Sequence, residues 1–276
     1  MPSKTDPIGV FDSGVGGLSV LLALQKQMPG EDIIYFGDQG HVPYGARPVE
    51  EIKKFSVGIV RFLLAQNAKI IVVACNTASA AALVHMRKTF PDVQIVGMEP
   101  AVKPAAETTK TGKVGVLATP ATFQGALYAS VVERFGAGVE LFQNTCAGLV
   151  SQIEKGELVT QATRDILEDA LLPMLEKNID TVVLGCTHYP FVIPLIQEIV
   201  GEEVRVIDPA PAIARQTERL LSANGLKNTA QTAGKTRFLT SGDVKMLESV
   251  LPTLLGFSST IAAVQWDEKG EKILAA

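Results

Sequence analysis

Short apolar runs alternate with longer amphipathic stretches along most of this chain. That alternation limits the fold more than any single motif. Residues 8–11, 32–36, 70–74, 113–118, 139–142, 181–185 and 204–207 read as buried strands. Between and after them, residues 18–28, 49–66, 78–88, 121–134, 160–176, 191–200 and 212–223 carry apolar residues at helical spacing, with Pro48 placed to start one helix. Strands that are apolar on both faces and separated by helices imply parallel sheets covered on both sides. The expected fold class is α/β.

A weak internal repeat sharpens this reading. Ile71-Val72-Val73-Ala74-Cys75-Asn76-Thr77 matches Val182-Val183-Leu184-Gly185-Cys186-Thr187-His188 in pattern, and Ile8-Gly9-Val10-Phe11-Asp12-Ser13 parallels Val114-Gly115-Val116-Leu117-Ala118-Thr119. Both pairs fit one approximate duplication. The expectation is two similar α/β domains with mainly parallel sheets, related by a pseudo-two-fold, with the active site in the cleft between them. Ligands in open α/β sheets bind beyond the carboxyl ends of the strands, where this chain carries its polar residues.

Composition narrows the function classes. With 47% hydrophobic and 20% charged residues in 276, the chain is neither disordered nor short of core. A net charge of −4 with scattered Lys and Arg gives no footprint for nucleic acid. No apolar run is long enough to span a bilayer, and the first residues lack a signal peptide's apolar core. Three cysteines without a Cys-x-x-Cys fit a reducing, cytoplasmic setting.

Cys75 and Cys186 each close a strand and open a polar loop. A helix N-terminus there lowers a thiol's pKa from its usual ~8.5. One such cysteine alone reads as inert core; two at matched places suggest the same group applied to opposite faces of one substrate. A stable disulfide is disfavoured by the compartment, and the histidines and cysteines lack zinc-ligand spacing, so no metal is expected. Cys146 has neither context and reads as core.

Asp12-Ser13-Gly14-Val15-Gly16-Gly17 forms a glycine-rich turn able to cradle an anion. It is no dinucleotide fingerprint, since Ser19 stands where a third glycine belongs, and it lacks a Walker Lys-Ser/Thr. Asp12 is either a helix cap or a functional carboxylate. His188, two residues after Cys186, can exchange protons with a thiolate. His41 and His85 read as structural. The 37–48 loop, with Pro43-Tyr44-Gly45 and nearby Arg47, is either a lid over a small ligand or a rigid turn with a tyrosine packed beneath. Glu154 is assigned to solvated helix surface and Trp266 to core packing.

Taken together, Phe11-Asp12-Ser13-Gly14-Val15-Gly16-Gly17, Val42-Pro43-Tyr44-Gly45, Ala74-Cys75-Asn76-Thr77 and Leu184-Gly185-Cys186-Thr187-His188-Tyr189-Pro190 resemble the bacterial glutamate racemases of the cofactor-independent aspartate/glutamate racemase family. The resemblance spans nearly the whole chain and is least diagnostic over the last forty or so residues. It implies interconversion of L- and D-glutamate without a cofactor, in the cytoplasm, supplying D-glutamate for peptidoglycan. It also implies a homodimer and lobes of residues 1–97 plus 210–276 and of residues 98–209.

Carried over by position, Cys75 serves the D-glutamate face and Cys186 the L-glutamate face, assisted by Asp12 and His188. Asp12, Ser13, Tyr44, Gly45, Asn76, Thr77, Thr187 and His188 would bind substrate. The residues alone leave two rivals: an aspartate racemase, and a non-catalytic two-lobed amino-acid-binding protein.

Overall fold

The computed structural model describes residues 2–99 and 101–275. The chain divides into two compact units, Met1–Met98 with Ala210–Ala276, and Glu99–Pro209. The first unit opens with β1 (Ile8–Asp12), α1 (Leu18–Gln27), β2 (Ile33–Gly37), α2 (Val49–Ala65), β3 (Ile70–Val73), α3 (Asn76–Thr89) and β4 (Ile95–Gly97). The second holds α4 (Val102–Thr108), β5 (Lys113–Ala118), α5 (Pro120–Gln124), α6 (Ala126–Phe135), β6 (Glu140–Asn144), α7 (Leu149–Glu154), α8 (Gln161–Leu175), β7 (Thr181–Gly185), α9 (Ile193–Val200) and β8 (Arg205–Ile207). The chain then completes the first unit with α10 (Ala210–Ala223), β9 (Thr236–Thr240), α11 (Val244–Leu255), β10 (Ile261–Trp266) and β11 (Ile273–Ala275).

Every residue of β1, β2, β3 and β7 is buried, as parallel strands covered on both faces require. Each Val, Ile or Phe so removed from water contributes about 1.5–3 kcal/mol. The helices follow their own end signals. Glu50 and Glu51 sit in the first turn of α2, where the helix dipole favours negative charge. Thr160 caps α8 by accepting from the Thr163 N–H at 3.3 Å.

The first unit's sheet runs β11-β10-β9-β2-β1-β3-β4, parallel throughout except at the β10–β11 pair. The second unit's sheet runs β6-β5-β7-β8 and is wholly parallel. This order repeats β2-β1-β3-β4 strand for strand, with β5 in the place of β1 and β7 in the place of β3. The duplication read from the sequence is therefore a duplication of topology. In each sheet the chain winds to one side of its first strand and then crosses back to the other. The carboxyl ends of β1 and β3, and of β5 and β7, flank that switch point.

Several expectations need correction. The helix expected over 121–134 breaks in two at Gly125, whose extended backbone (ψ 137°) interrupts the turn pattern. The helix after Cys75 begins at Asn76, so Cys75 itself is the capping residue. The sequence reading did not assign β4, α4, α7 or anything after α10. β4 and β11 are only three residues each, and β9 takes its partner from β2, at the other end of the chain. Among the described residues no helix is long and apolar enough to cross a membrane.

Candidate active site

In the first unit, Asp12 ends β1 and Cys75 follows β3, so both stand at the switch point. Both are buried. Gly17 lets the turn close over them: a Cβ there would lie 2.7 Å from Asp12 Cβ and 3.0 Å from Ala74 Cβ. Its N–H donates to Asp12 Oδ2 at 2.7 Å. Cys75 Sγ accepts from the Ala78 N–H at 3.4 Å, and Ser13 Oγ lies 3.7 Å from it.

The expected lowering of the Cys75 pKa does not occur. Burial pushes the thiol well above its usual range, and the charge of Asp12 and a hydrogen bond to it push the same way. The Ala78 N–H and Ser13 oppose this without reversing it. Cys75 therefore carries its proton in this structure.

Asn76 and Thr77 open α3 and are buried beside Cys75 in sequence. The Asn76 Oδ1 has no hydrogen-bond partner among the described residues. Tyr44 and Gly45 lie in a one-turn 3₁₀ segment, Tyr44–Ala46. The Tyr44 ring is buried in the same apolar cluster as Cys75, and its hydroxyl donates to Asp38 Oδ2 at 2.5 Å. Of the two readings of the 37–48 loop, this is the packed turn.

In the second unit, Cys186, Thr187 and His188 follow β7 and are all buried. Cys186 Sγ lies 3.6 Å from His188 Nδ1, and His188 Nε2 lies 2.6 Å from Glu154 Oε1. Burial alone would lower the imidazole's pKa. Hydrogen bonds to Cys186 and Glu154, with their charges, raise it well above the ordinary histidine value. His188 is thus held as a cation able to donate from both nitrogens.

Glu154 is not solvated helix surface, as its sequence context suggested; it ends α7 and is buried against His188. Tyr189 donates to the Thr145 carbonyl at 3.1 Å. Cys146 is buried in that loop, its thiol pushed up to about 12 by burial and by the charge of Cys186.

His85 is exposed on α3. His41 stacks on Phe55 with ring centroids 3.9 Å apart. Trp266 is only partly buried and its indole N–H donates to Asp38 Oδ1 at 2.8 Å, more than the core packing assigned to it. Glu154 and Asp38 are the groups that sequence reasoning missed: Glu154 meets His188 across 34 positions, and Asp38 joins the nearby His41 and Tyr44 to the distant Ser241 and Trp266. Among the described residues no cluster of three or more His, Cys, Asp or Glu could hold a metal ion.

Thus each unit presents a thiol at its switch point, one beside a carboxylate and one beside a carboxylate-held imidazole. The Asp/Glu/Hydantoin racemase family model matches residues 8–217. A glutamate racemase of Ectopseudomonas mendocina is 49% identical over 256 residues, covering 93% of this chain and 97% of that protein. The glutamate racemase of Francisella tularensis, solved in complex with D-glutamate, aligns with a TM-score of 0.82 at 33% identity, covering 95% of this chain and 98% of that one. The Escherichia coli glutamate racemase, solved with L-glutamate and the activator UDP-MurNAc-Ala, aligns with a TM-score of 0.82 at 33% identity over 94% of this chain and 98% of that one. By motif, by topology and by similarity along nearly its whole length, this chain belongs to the Asp/Glu/hydantoin racemase family.

Proposed function

We propose that this chain interconverts L- and D-glutamate without a cofactor, using Cys75 and Cys186 as the two acid/base groups. The observation that carries the reading is the pair of thiols at equivalent switch points of a repeated fold, each with its own proton partner. Relatives solved with D-glutamate and with L-glutamate support the choice of substrate.

The α-proton of an amino acid is a poor acid, and each pKa unit of mismatch with the base costs about 1.4 kcal/mol. The site must therefore stabilise charge as it develops. Cys186, as thiolate, takes the α-proton of L-glutamate, and the C–H electron pair stays on the α-carbon. Cys75 then donates its S–H proton to the opposite face, giving D-glutamate and leaving a thiolate at residue 75. The reverse reaction exchanges the roles. The protonated state of Cys75 and the cationic His188 beside Cys186 suit the L-to-D direction as drawn.

Asp12 accepts from Cys75 and governs its proton; Glu154 holds His188, and His188 attends Cys186. Ser13, Thr77 and Thr187 supply hydroxyls for the substrate carboxylates, and Tyr44 and Gly45 are assigned to substrate binding as well. The Asn76 Oδ1 offers an acceptor to the ammonium. In the cell this reading places a cytoplasmic homodimer upstream of peptidoglycan synthesis.

The test is chiral chromatography after incubating each pure enantiomer with the purified protein and no added cofactor. Glutamate from either side should converge on equal amounts. Inversion of aspartate in its place would make the chain an aspartate racemase. Tight binding without inversion would make it a two-lobed binding protein.

A further inference from the structure

A second buried carboxylate in the first unit, one strand away from Asp12, takes no part in the chemistry above. Asp38 follows β2 and is fully buried. Four side chains converge on it. His41 Nδ1 lies 3.1 Å from both oxygens, Tyr44 donates to Oδ2 at 2.5 Å, and Ser241 and Trp266 donate to Oδ1 at 2.6 and 2.8 Å. A carboxylate removed from water is tolerated only with such compensation. Burial pushes the Asp38 carboxyl up, and the hydrogen bond and charge of His41, with Ser241 and Tyr44, more than reverse it, so it remains ionised.

Two of these donors lie at the ends of the C-terminal strands, Ser241 just after β9 and Trp266 at the end of β10, beyond the residues 8–217 that the family model matches. Neither donor is needed to hold those strands. β9 pairs with β2 along five residues and β10 pairs with β9, all through the backbone. The 42–47 segment, by contrast, joins no strand. The Tyr44 hydroxyl anchors it on Asp38, and Arg47 anchors it through Nε on the His41 carbonyl at 2.6 Å, Nη1 on Glu51 at 3.2 Å and its guanidinium over the Phe55 ring. The turn residue Tyr44 itself is thus tied by its hydroxyl to Asp38. The far side is rigid as well: Trp266 lies against Gly58 of α2, where a Cβ would sit 2.6 Å from Cζ3 of the indole. The Asp38 N–H donates to the Asp12 carbonyl at 2.9 Å, which ties the same residue to the reacting turn.

The geometry points to Asp38 as a positioning residue that clamps the Tyr44–Gly45 turn at the substrate site onto the C-terminal strand through Trp266 and Ser241. This role rests on the racemase reading, in which Tyr44 and Gly45 meet substrate. It makes the last strands of the chain part of the apparatus that holds glutamate.

The test compares Asp38→Asn, Trp266→Phe and their combination with the wild-type chain, each checked for native circular dichroism. Asp38→Asn loses an acceptor for Tyr44 and should raise the KM for glutamate about tenfold while changing kcat less than about threefold. Trp266→Phe keeps an aromatic ring but loses the indole N–H together with the pyrrole half of the side chain, and should raise KM about threefold. The double variant should rise by less than the product of the two, because both changes act through one contact. If the folded variants keep a wild-type KM, or lose activity through kcat alone, or if their effects multiply, the clamp is wrong. Should Asp38→Asn not fold, an unchanged KM in Trp266→Phe overturns it alone. A wild-type chain that does not racemise glutamate would sink the racemase reading and this role with it; an active wild type with unaltered variants sinks only the clamp.

Discussion

His188 Nε2 and Glu154 Oε1 lie 2.6 Å apart, so a buried carboxylate on α7 grips the imidazole that meets Cys186 through its other nitrogen. The two thiols thus have different neighbours. Cys75 faces a negative neighbour, which keeps its proton on; Cys186 faces a positive one. A pair of identical groups thus meets opposite charges in its surroundings.

Removing the charge of Glu154 tests that contrast. Glu154→Gln keeps an acceptor for Nε2 but withdraws the anion that helps hold the His188 proton. kcat/KM should fall about tenfold. It should fall equally from both enantiomers, since they have equal free energies. The His188 proton should also leave at lower pH, moving the alkaline limb of the kcat/KM profile toward neutrality. A limb that stays put would reduce Glu154 to packing.

Asp12→Asn should act on the other thiol. Asn can still accept from the Gly17 N–H, so the turn should survive. Losing the carboxylate charge removes one of the causes that raise the Cys75 pKa. In a Cys186→Ala background, alkylation of Cys75 by iodoacetamide should become measurable at lower pH, while kcat of the single Asp12→Asn variant drops by about a hundredfold. Alkylation with an unchanged pH dependence would show that burial alone sets this thiol.

Single replacement of either cysteine should abolish racemisation, because inversion needs a base on one face and an acid on the other. The remaining thiol still addresses one enantiomer. In heavy water, Cys186→Ala should place α-deuterium only in D-glutamate and Cys75→Ala only in L-glutamate, slowly and without inversion. Mass spectrometry after chiral separation reads both outcomes. Exchange of the same enantiomer by both variants would contradict opposed faces.

Asp180 provides a stability test away from the chemistry. It accepts from the Thr109 and Thr181 hydroxyls and the Lys110 and Thr111 N–H groups. Burial pushes its carboxyl up, but these bonds outweigh it and hold it at about 2. A depressed folded pKa stabilises above the unfolded value near ~3.9 and loses that contribution as pH falls toward the folded one. Asp180→Asn should lower the urea midpoint at neutral pH. Its deficit against the wild type should shrink from about pH 4 downward. A deficit that is constant with pH would mean the charge is irrelevant.

Local sequence was enough for the class of fold and for the two thiols. Seven apolar runs with helices between them leave little besides parallel sheets, although the edge strands β6 and β8 stay partly exposed, and the matched strand ends at Cys75 and Cys186 announce a duplicated topology. Strand patterns are legible because burial on both faces demands unbroken apolar runs. What those thiols face was decided only in three dimensions. Glu154 meets His188 across 34 positions and Trp266 meets Asp38 across 228, and no periodicity encodes a contact of that separation. The thiol at residue 75 shows the reason most plainly. Its place at a helix N-terminus argues for a lowered pKa, and the expected N–H is there. Burial and the charge of Asp12, which depend on how β1 packs beside β3, turn the balance the other way.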